Sequence, residues 1–378
     1  RYTIDREIDQ IRALGVEIIC NTEVGKQITM RQLDERFDAI VMAAGTLKPN
    51  MLHLPGKELK GIRHGLSFLL EVNETDKCQE FGKQVLVIGG GFTAMDCART
   101  AWRLKADGVR VMYRRSQKEM LITPGELEEL GHEGIPMEFM VSPVAYVGDA
   151  AGKVKAMKFT RTQMGEPDEK GRRRPIDIPG SEFEVPCDTV LLATGQFPDT
   201  QWLDADLKAK LVGPDEWLLS GKQAGTSERK IFVAGDFALG ATTLIEAIAH
   251  GKTCARQVDT VLTGEERLMD VAVVSDVKTT GRIREMDAVK LQTMPAIPVS
   301  ERHLTAEVET GFTQDLACDE TQRCYLCHYK YEIDADKCIY CDWCIKAKPR
   351  PNCIVRVSEV VEDKQGAIVG FQRAKGTD

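Results

Sequence analysis

The segment that most constrains this chain is residues 85–115, which has the pattern of strand, glycine-rich turn, helix and strand. An apolar run over 85–88 ends in three consecutive glycines at 89–91. A helical pattern follows over 95–104, and a second apolar run covers 109–113. This order is typical of a βαβ unit, in which two parallel strands flank a crossover helix. The sequence therefore predicts an α/β fold built on a Rossmann-like parallel sheet.

The glycine-rich turn suits a bound pyrophosphate. Gly89 permits the tight turn, Gly91 lets the backbone approach the phosphates, and Ala94 keeps the helix close to the strand. The first amides of the helix and its positive dipole end would face the anion. The candidate contacts to a dinucleotide are Gly89, Gly90, Gly91, Phe92, Thr93 and Ala94. The alternative is a glycine-rich turn of an ordinary α/β sheet, with arginines on a solvated rim.

Two arginines, Arg114 and Arg115, follow the second strand. In dinucleotide-binding units, an acidic residue at this place binds the ribose 2′-hydroxyl of NAD. Arginine suits a 2′-phosphate instead, because its guanidinium matches phosphate geometry. The pattern therefore favours NADPH over NADH.

Length and charge exclude some classes of function. The chain has 378 residues and a formal net charge of −8 at pH 7. Two or three domains are expected at this length. The acidic balance does not indicate nucleic-acid binding, and no apolar run approaches the roughly 18–20 residues that cross a bilayer. We expect a cytoplasmic protein with no nucleic-acid partner and no membrane span.

Two similar segments, 38–45 and 188–195, each have the pattern of a buried strand that ends in a glycine. Such repeats occur where a chain leaves one dinucleotide-binding domain and enters another. We expect residues 85–189 to form an inserted NADPH-binding domain. Residues 1–84 and 190–262 would be two parts of a host domain, so that two Rossmann-like domains are nested.

The remaining parts of the chain have different compositions. Residues 263–316 are polar and are interpreted as a connector. Residues 317–378 are expected to form a small separate α+β domain, with an alternating strand pattern after Cys353. At the other end, residues 1–19 predict a helix followed by a strand.

The last piece of the host domain contains a second candidate site. A strand over 230–234 ends in Gly235 and Asp236, and a helix opens near Thr243. An aspartate at a strand end can bond a ribitol hydroxyl or a phosphate-bridging water, and the helix N-terminus can face the electron-rich side of a flavin. Another strand–turn–helix of the same sheet explains the pattern equally well.

Seven of the twelve cysteines lie between residues 318 and 353. Cys338, Cys341 and Cys344 have the C-x2-C-x2-C spacing that places three thiolates around one face of a [4Fe–4S] cluster. Tight clustering in a chain of this type indicates metal rather than disulfides. Zinc is the main alternative, because paired C-x2-C motifs also form zinc ribbons.

The sequence leaves several candidates for the fourth ligand of this cluster. Ferredoxins have a cysteine three residues after the motif, followed by proline, but here Lys348 precedes the proline. Cys353 is the nearest candidate for the fourth bond. Cys324 and Cys327 are the other candidates, either as the fourth ligand or as part of a second cluster.

The combined motifs resemble the glutamate synthase small (beta) subunit family of NADPH-dependent flavin oxidoreductases. The matching segments cover about residues 1–262, and the cysteine block looks like the ferredoxin-type appendage of longer members. The resemblance implies FAD in the host domain and NADPH in the inserted one. It places Gly45, Gly235, Asp236 and Thr243 along the FAD, and Gly195 and Gln196 at the junction of the two cofactors.

Two positions depart from the family pattern. Phe92 stands where the family usually has Asn or Asp. The family's N-terminal glycine loop for the ADP part of FAD is absent from these residues, so the host domain is expected to be incomplete here. Either the sequence is a fragment of a longer protein, or a separate chain supplies that half.

The expected function is electron transfer between NADPH, FAD, an iron–sulfur cluster and a partner protein, in either direction. The partner would be a larger oxidoreductase complex or a ferredoxin-type carrier. Because the cofactors carry the chemistry, His64, His132 and His250 are interpreted as structural or surface residues and no catalytic side chain is assigned. The alternatives are a glutamate synthase small subunit proper, or a non-catalytic scaffold with a zinc-type cysteine site.

Overall fold

The computed structural model describes residues 2–78, 81–167, 173–219, 224–266, 286, 289–323, 337–339, 341, 343–346, 357–362 and 368–373. The chain forms two compact units. The first contains residues 1–277 and 294–311, and the second contains residues 278–293 and 312–378.

Helices in the described residues are α1 (Tyr2–Ala13), α2 (Met30–Arg36), α3 (Gly65–Thr75), α4 (Phe92–Arg103), α5 (Pro124–His132), α6 (Ala205–Leu211), α7 (Asp236–Leu239), α8 (Leu244–Thr263), α9 (Gln314–Gln322) and α10 (Trp343–Lys346). Strands are β1 (Ile40–Met42), β2 (Lys48–Pro49), β3 (Ile62–His64), β4 (Gln84–Ile88), β5 (Gly108–Tyr113), β6 (Met137–Phe139), β7 (Val141–Gly148), β8 (Val154–Pro167), β9 (Arg173–Asp177), β10 (Phe183–Pro186), β11 (Thr189–Leu192), β12 (Gln196–Phe197), β13 (Ile231–Val233), β14 (Val357–Glu362) and β15 (Ile368–Arg373). Across the part of the chain described, no helix combines the length and the apolar character needed to span a bilayer.

A five-stranded parallel sheet, in the order β3-β11-β4-β5-β6, forms the centre of the first unit. The apolar residues of β4 and all four residues of β11 are buried, as expected for strands covered on both faces. The sheet confirms the predicted Rossmann-like α/β fold. The sheet also includes β3, which pairs with β11 and lies outside the range 85–189 that was predicted for the inserted domain.

Alternate residues of β4 serve two different cores. Val85 and Val87 pack with apolar residues of α3, α4 and α5 on one face of the sheet. Leu86 and Ile88 pack on the other face against residues of the antiparallel strands β7, β8 and β10. The period of two along the strand therefore separates a helical layer from a second sheet. The central sheet is held rigidly between them.

A smaller parallel pair, β1 with β13, belongs to the same unit. Its own apolar cluster includes Met42, Val233 and Phe237. The long helix α8 follows, and Leu244, Ile245 and Ile248 on it are exposed. Val41 on β1 is also largely exposed. Several large apolar side chains exposed on one helix are typical of an interaction site.

The predicted N-terminal helix is present as α1, but the predicted strand after it is wrong. Residues 16–20 form no strand, and Val16, Ile18 and Ile19 are exposed. A strand needs a hydrogen-bonded neighbour, and no described residue forms strand pairs with this segment. The apolar pattern alone could not reveal that no neighbour is available among the described residues.

Part of the expected connector is packed onto the first unit. Residues 294–311 belong to that unit, and Arg302 is buried. Its guanidinium donates to Glu129 at 2.8 Å and to Glu133 at 3.2 Å. Residues 294–311, called the strap below, therefore attach to α5 through a buried ionic contact that polar composition does not predict.

In the second unit, α9, α10 and the hairpin of β14 with β15 are described. The hairpin agrees with the alternating pattern predicted for this part of the chain. Cys324, Cys327 and Cys353, which were predicted as further metal ligands, lie outside the described residues.

Candidate functional site

The turn between β4 and α4 is shaped by close contacts. Gly89 has a φ of +150°, and a Cβ there would collide with the Ala193 carbonyl oxygen. A Cβ at Gly90 would collide with the Tyr113 ring. Gly91 is the N-cap of α4, and a Cβ there would meet no atom within 4 Å. The first two glycines are therefore needed by the fold itself, whereas Gly91 faces open space that a phosphate could occupy.

A cavity of about 450 Å³ lies at the carboxyl ends of β4, β5 and β11. Such edges of open parallel sheets are where ligands bind. Among the residues that line this cavity are Gly89, Gly90, Tyr113, Arg114, Arg115 and Thr194. The structure thus brings Gly89, Gly90 and both predicted arginines to one cavity, whereas Gly91, at the start of α4, is not among its lining residues.

The backbone of the two arginines is fixed by the antiparallel sheet. The Thr162 hydroxyl donates to the Arg114 carbonyl oxygen at 2.9 Å, and the Met140 amide donates to the Arg115 carbonyl oxygen at 3.2 Å. The Nε of Arg115 is buried without a hydrogen-bond partner. Arg115 also forms a side-chain hydrogen bond with Tyr113 that opposes the rise of the Tyr113 pKa by burial, so its side chain is held against the ring that lines the cavity.

Burial raises the pKa of Tyr113, although Arg115 and Arg114 oppose the shift. The phenol therefore stays neutral at ordinary pH. Its ring packs over Gly90 and its hydroxyl donates to the Glu119 carbonyl oxygen at 3.3 Å. Tyr113, which was not among the predicted site residues, therefore lines the cavity together with the glycines and the arginines.

The other residues of the glycine turn have separate places. Ala94 is fully buried in the core between α4 and the sheet, which agrees with a packing role. Thr93 is partly buried and Phe92 is exposed at the start of α4. These two side chains do not line the 450 Å³ cavity.

The second predicted group lies at the ends of β1 and β13. These strands are neighbours, and the Ala234 amide donates to the Met42 carbonyl oxygen at 3.0 Å. Gly45 and Gly235 therefore follow adjacent strand ends. Asp236 begins α7, and its carboxylate accepts hydrogen bonds from the amide and hydroxyl of Thr242 at 3.2 and 2.9 Å.

Thr243 begins α8 through a capping box with Glu246. The Thr243 hydroxyl accepts from the Glu246 amide, and the Glu246 carboxylate accepts from the Thr243 amide. This leaves other first-turn amides of α8 directed toward solvent. The Gly235 amide donates to Nδ1 of the buried His250 at 3.1 Å. His250 is therefore structural, as expected, but it specifically fixes the Gly235 turn.

The two parts of the first unit are joined beside Gly195. Its carbonyl oxygen accepts from the Asn50 amide at 3.2 Å and lies 3.4 Å from Nε2 of His64. Burial lowers the pKa of His64, so the ring is neutral near pH 7. Gln196 pairs with Pro49 in the short β2–β12 ribbon. Asn50 and His64 were not predicted here, because contacts across more than a hundred residues leave no local signal.

The described cysteines of the C-terminal motif are accessible: Cys341 and Cys344 are exposed and Cys338 is partly buried. In the ranges that the structure describes, no three metal-binding side chains are grouped closely enough to hold an ion. Because Cys324, Cys327 and Cys353 fall outside those ranges, the ligand set stays a prediction.

A larger cavity, of about 750 Å³, lies at the opposite edge of the sheet. Lys60, Lys153, Gln84 and Asp188 are among its lining residues. None of the predicted cofactor-binding residues lines it. We assign the candidate site to the smaller cavity, since the carboxyl ends of parallel strands are where ligands bind.

The family model described as pyridine nucleotide-disulphide oxidoreductase matches residues 15–251. The chain belongs to this family. The match includes the glycine turn, both arginines and the β1–β13 pair, and it confirms that this is an oxidoreductase fold. The relatives of this chain include glutamate synthase small chains, which confirms the predicted resemblance.

Three relatives illustrate the range of the family. The NADP(+)-dependent formate dehydrogenase subunit beta of Moorella thermoacetica is 37% identical over 85% of this chain and 47% of its own length. The NADPH-Fe(3+) oxidoreductase subunit beta of Geobacter sulfurreducens is 32% identical over 87% of this chain and 54% of its own. The glutamate synthase [NADPH] small chain of Escherichia coli is 34% identical over 68% of this chain and 57% of its own. The chain spans about half the length of the relatives it matches.

The fold is shared with FprA, an oxidoreductase of Mycobacterium tuberculosis. The His57Gln mutant of FprA matches with a TM-score of 0.56 at 19% identity, over 65% of this chain and 68% of FprA. A structure of FprA in complex with NADPH matches with a TM-score of 0.54 at 20% identity, over 64% and 67% of the two chains. These similarities support the Rossmann-like architecture of the oxidoreductase.

Proposed function

We propose that this chain is a subunit of an NADPH-dependent flavin and iron–sulfur oxidoreductase that exchanges electrons with a partner protein. The observation that carries the proposal is the 450 Å³ cavity, in which the glycine turn and both arginines meet. A glycine turn that leads into a helix, together with two arginines lining the same cavity, suits a ligand that carries more than one phosphate. NADPH has that distribution of charge, with a pyrophosphate and a 2′-phosphate.

The residues present fit NADPH. Open space in front of Gly91 leaves room for the pyrophosphate at the start of α4, and Arg114 and Arg115 line the 450 Å³ cavity. When bound, NADPH would supply a hydride to the flavin. The protein side chains would hold and orient the dinucleotide, and no acid or base is required of them.

FAD is proposed along the ends of β1 and β13. Cβ atoms at Gly45 and Gly195 would meet nothing within 4 Å, so the backbone is open to a ligand there. Asp236 and the N-terminus of α8 at Thr243 lie beside the same strand ends. Residues outside this chain would bind the ADP part of FAD, consistent with relatives about twice as long and with the exposed apolar residues of α8.

The cysteine block is proposed to hold a [4Fe–4S] cluster through Cys338, Cys341 and Cys344, with Cys353, Cys324 or Cys327 completing the set. Two relatives, a formate dehydrogenase subunit and an Fe(3+) oxidoreductase subunit, align with 85–87% of the chain. The glutamate synthase small chain aligns with 68%. The difference favours an electron-transfer subunit of a cytoplasmic oxidoreductase complex over a glutamate synthase subunit.

The nucleotide proposal is tested by replacing Arg114 and Arg115 with alanine together. We expect the Kd of NADP+ to rise about a hundredfold, since two charge-assisted contacts are lost, while the Kd of NAD+ changes little. Calorimetric titration of the chain measures both. Arg31→Ala, on exposed α2, is the control and should bind like the wild type. An equal loss for NAD+ and NADP+ would remove the 2′-phosphate assignment.

The cluster proposal is tested by Cys341→Ser on anaerobically purified, reduced protein. We expect the iron–sulfur signal in electron paramagnetic resonance to disappear. Cys318→Ser, an exposed cysteine on α9 outside the motif, should keep it. Stoichiometric zinc without iron in the wild-type protein would support the scaffold alternative instead.

A further inference from the structure

The turn that follows the two arginines is fastened by one acidic side chain. Glu119 ends the 3₁₀ turn Gln117–Glu119. Its carboxylate accepts hydrogen bonds from the Ser116 hydroxyl and from the Arg173 guanidinium. The Tyr113 hydroxyl donates to the Glu119 carbonyl oxygen at 3.3 Å. Glu119 thus connects the end of β5, the turn itself and a distant strand.

Arg173 reaches Glu119 from strand β9, which pairs antiparallel with β8. Strand β8 also carries Thr162, whose hydroxyl donates to the Arg114 carbonyl oxygen. The β8–β9 ribbon therefore contacts the segment 114–119 at two separate points. One contact fixes the backbone of Arg114, and the other fixes the side chain of Glu119.

The charges around the turn explain why the second contact matters. Glu119 is only 13% exposed and Arg173 is 39% exposed. Hydrogen bonds from Ser116 and Arg173 hold the pKa of Glu119 below its ordinary value, against the opposite effect of burial, so the carboxylate is ionised. An ionised Glu119 attracts the Arg173 guanidinium, so the contact between them is a charge-assisted hydrogen bond, which is stronger than a neutral one.

We propose that Arg173 is a positioning residue for recognition of the 2′-phosphate. By pairing with Glu119 it holds the turn of Arg114 and Arg115 in the shape that selects a 2′-phosphorylated dinucleotide. The inference rests on the proposed function, because it takes the 450 Å³ cavity to be the NADPH site.

The test is calorimetric titration of the full chain with 2′,5′-ADP and with 5′-AMP, which differ by the 2′-phosphate. For Arg173→Met we expect the Kd of 2′,5′-ADP to rise about tenfold and that of 5′-AMP to change less than about twofold. Arg173→Lys should restore part of the difference, because it keeps the charge without the planar fork. Arg174→Met is the matched control. Arg174 is adjacent and exposed, and among the described residues its side chain makes no ion pair.

A pair of outcomes would overturn the inference. One is that Arg173→Met binds 2′,5′-ADP like Arg174→Met. The other is that it weakens both ligands equally, which a general loss of structure would also produce. Combining Arg173→Met with Glu119→Gln should add little to either single change if they act as a unit, and full additivity would contradict the link through Glu119.

The same titrations separate this inference from the proposed function. If Arg114→Ala with Arg115→Ala leaves the affinity for 2′,5′-ADP unchanged, the NADPH site itself is wrong. If that variant loses affinity while Arg173→Met does not, only the positioning role is wrong. Circular dichroism of each variant, compared with the wild type, verifies that it is folded.

Discussion

Three consecutive glycines in the turn after β4 have different reasons to be glycine. A side chain at Gly89 or Gly90 would strike neighbouring atoms, whereas one at Gly91 would enter open space. The backbone of Gly91, with φ −101° and ψ −178°, is accessible to any residue. The fold itself therefore does not require glycine at position 91, whereas a pyrophosphate bound as proposed would.

For Gly91→Ala we expect the free energy of unfolding to fall by less than about 1 kcal/mol, mainly through a poorer N-cap. The Kd of NADP+ should rise at least about tenfold, because the methyl group blocks the approach of a pyrophosphate. Urea unfolding and calorimetric titration measure the two effects.

Gly90→Ala is the comparison. Its methyl group would press on the Tyr113 ring, so we expect a loss of about 1–3 kcal/mol in stability. Unchanged NADP+ affinity in Gly91→Ala, with normal folding, would refute the ligand-based requirement at that position.

The helices α4 and α5 are joined by ion pairs that the strap completes. Glu133 has a fully buried side chain and contacts Arg99, Arg103 and Arg302. Arg302 also contacts Glu129. Every charge in this group has an opposite partner, so removing one leaves the others underpaired in a buried place.

We expect Arg302→Met to lower the free energy of unfolding by about 3 kcal/mol, since it breaks a buried ion pair from one side. Chemical denaturation monitored by circular dichroism measures the change. Arg31→Met breaks an exposed pair with Glu35 on α2 and should change stability by less than about 0.5 kcal/mol. Similar losses in the two variants would mean that the buried network contributes little.

The same network predicts a dependence on pH. Burial alone would raise the pKa of Glu129, but hydrogen bonds from His132 and Arg302 lower it below its ordinary value. A lowered folded-state pKa stabilises the protein above the unfolded value, and this contribution disappears as the pH falls through the folded-state pKa.

Between neutral pH and the acid range, Glu129→Gln should therefore lose stability more slowly than the wild type. The advantage of the wild type in free energy of unfolding should be constant above the ordinary glutamate pKa of about 4.3 and should shrink as the pH falls below it. Glu128→Gln, at an exposed neighbouring position, should follow the wild-type curve. If the stabilities of the wild type and Glu129→Gln changed in parallel with pH, the lowered pKa of Glu129 would be contradicted.

The elements were predictable where their pattern is local. Strand β4, helix α4 and strand β5 lie within a few residues of their predicted positions, because apolar periodicity and glycines mark them. Strand β3 was not predicted, since Arg63 and His64 interrupt any apolar run. The contact of Arg302 with α5 was not predictable either, because a buried ion pair across about 170 residues has no signature in the sequence.

At the scale of the whole molecule, the chain alternates between its two units. Residues 278–293 belong to the second unit and the strap returns to the first before the chain enters the second again. The position of the candidate cavity was predictable from the glycine and arginine motifs. The grouping of the strap with the first unit was not, since its polar composition is also typical of a linker.

Truncation tests the role of the strap. A chain that ends at residue 311 keeps Arg302 and should unfold with the stability of the first unit in the full chain. A chain that ends at residue 293 should be less stable by about 3 kcal/mol, the same loss as for Arg302→Met. Chemical denaturation of the two truncated chains measures the difference in their free energies of unfolding. Equal stabilities would mean that the strap lies on the surface without supporting it.

The apolar residues on the outer face of α8 also set a practical limit on handling the protein. Leu244 and Ile245 are each about three-quarters exposed, and salts such as sulfate strengthen the association of such surfaces. Purified alone, the chain will therefore self-associate as its concentration or the sulfate content rises, and co-expression with a polypeptide that covers α8 will keep it monodisperse.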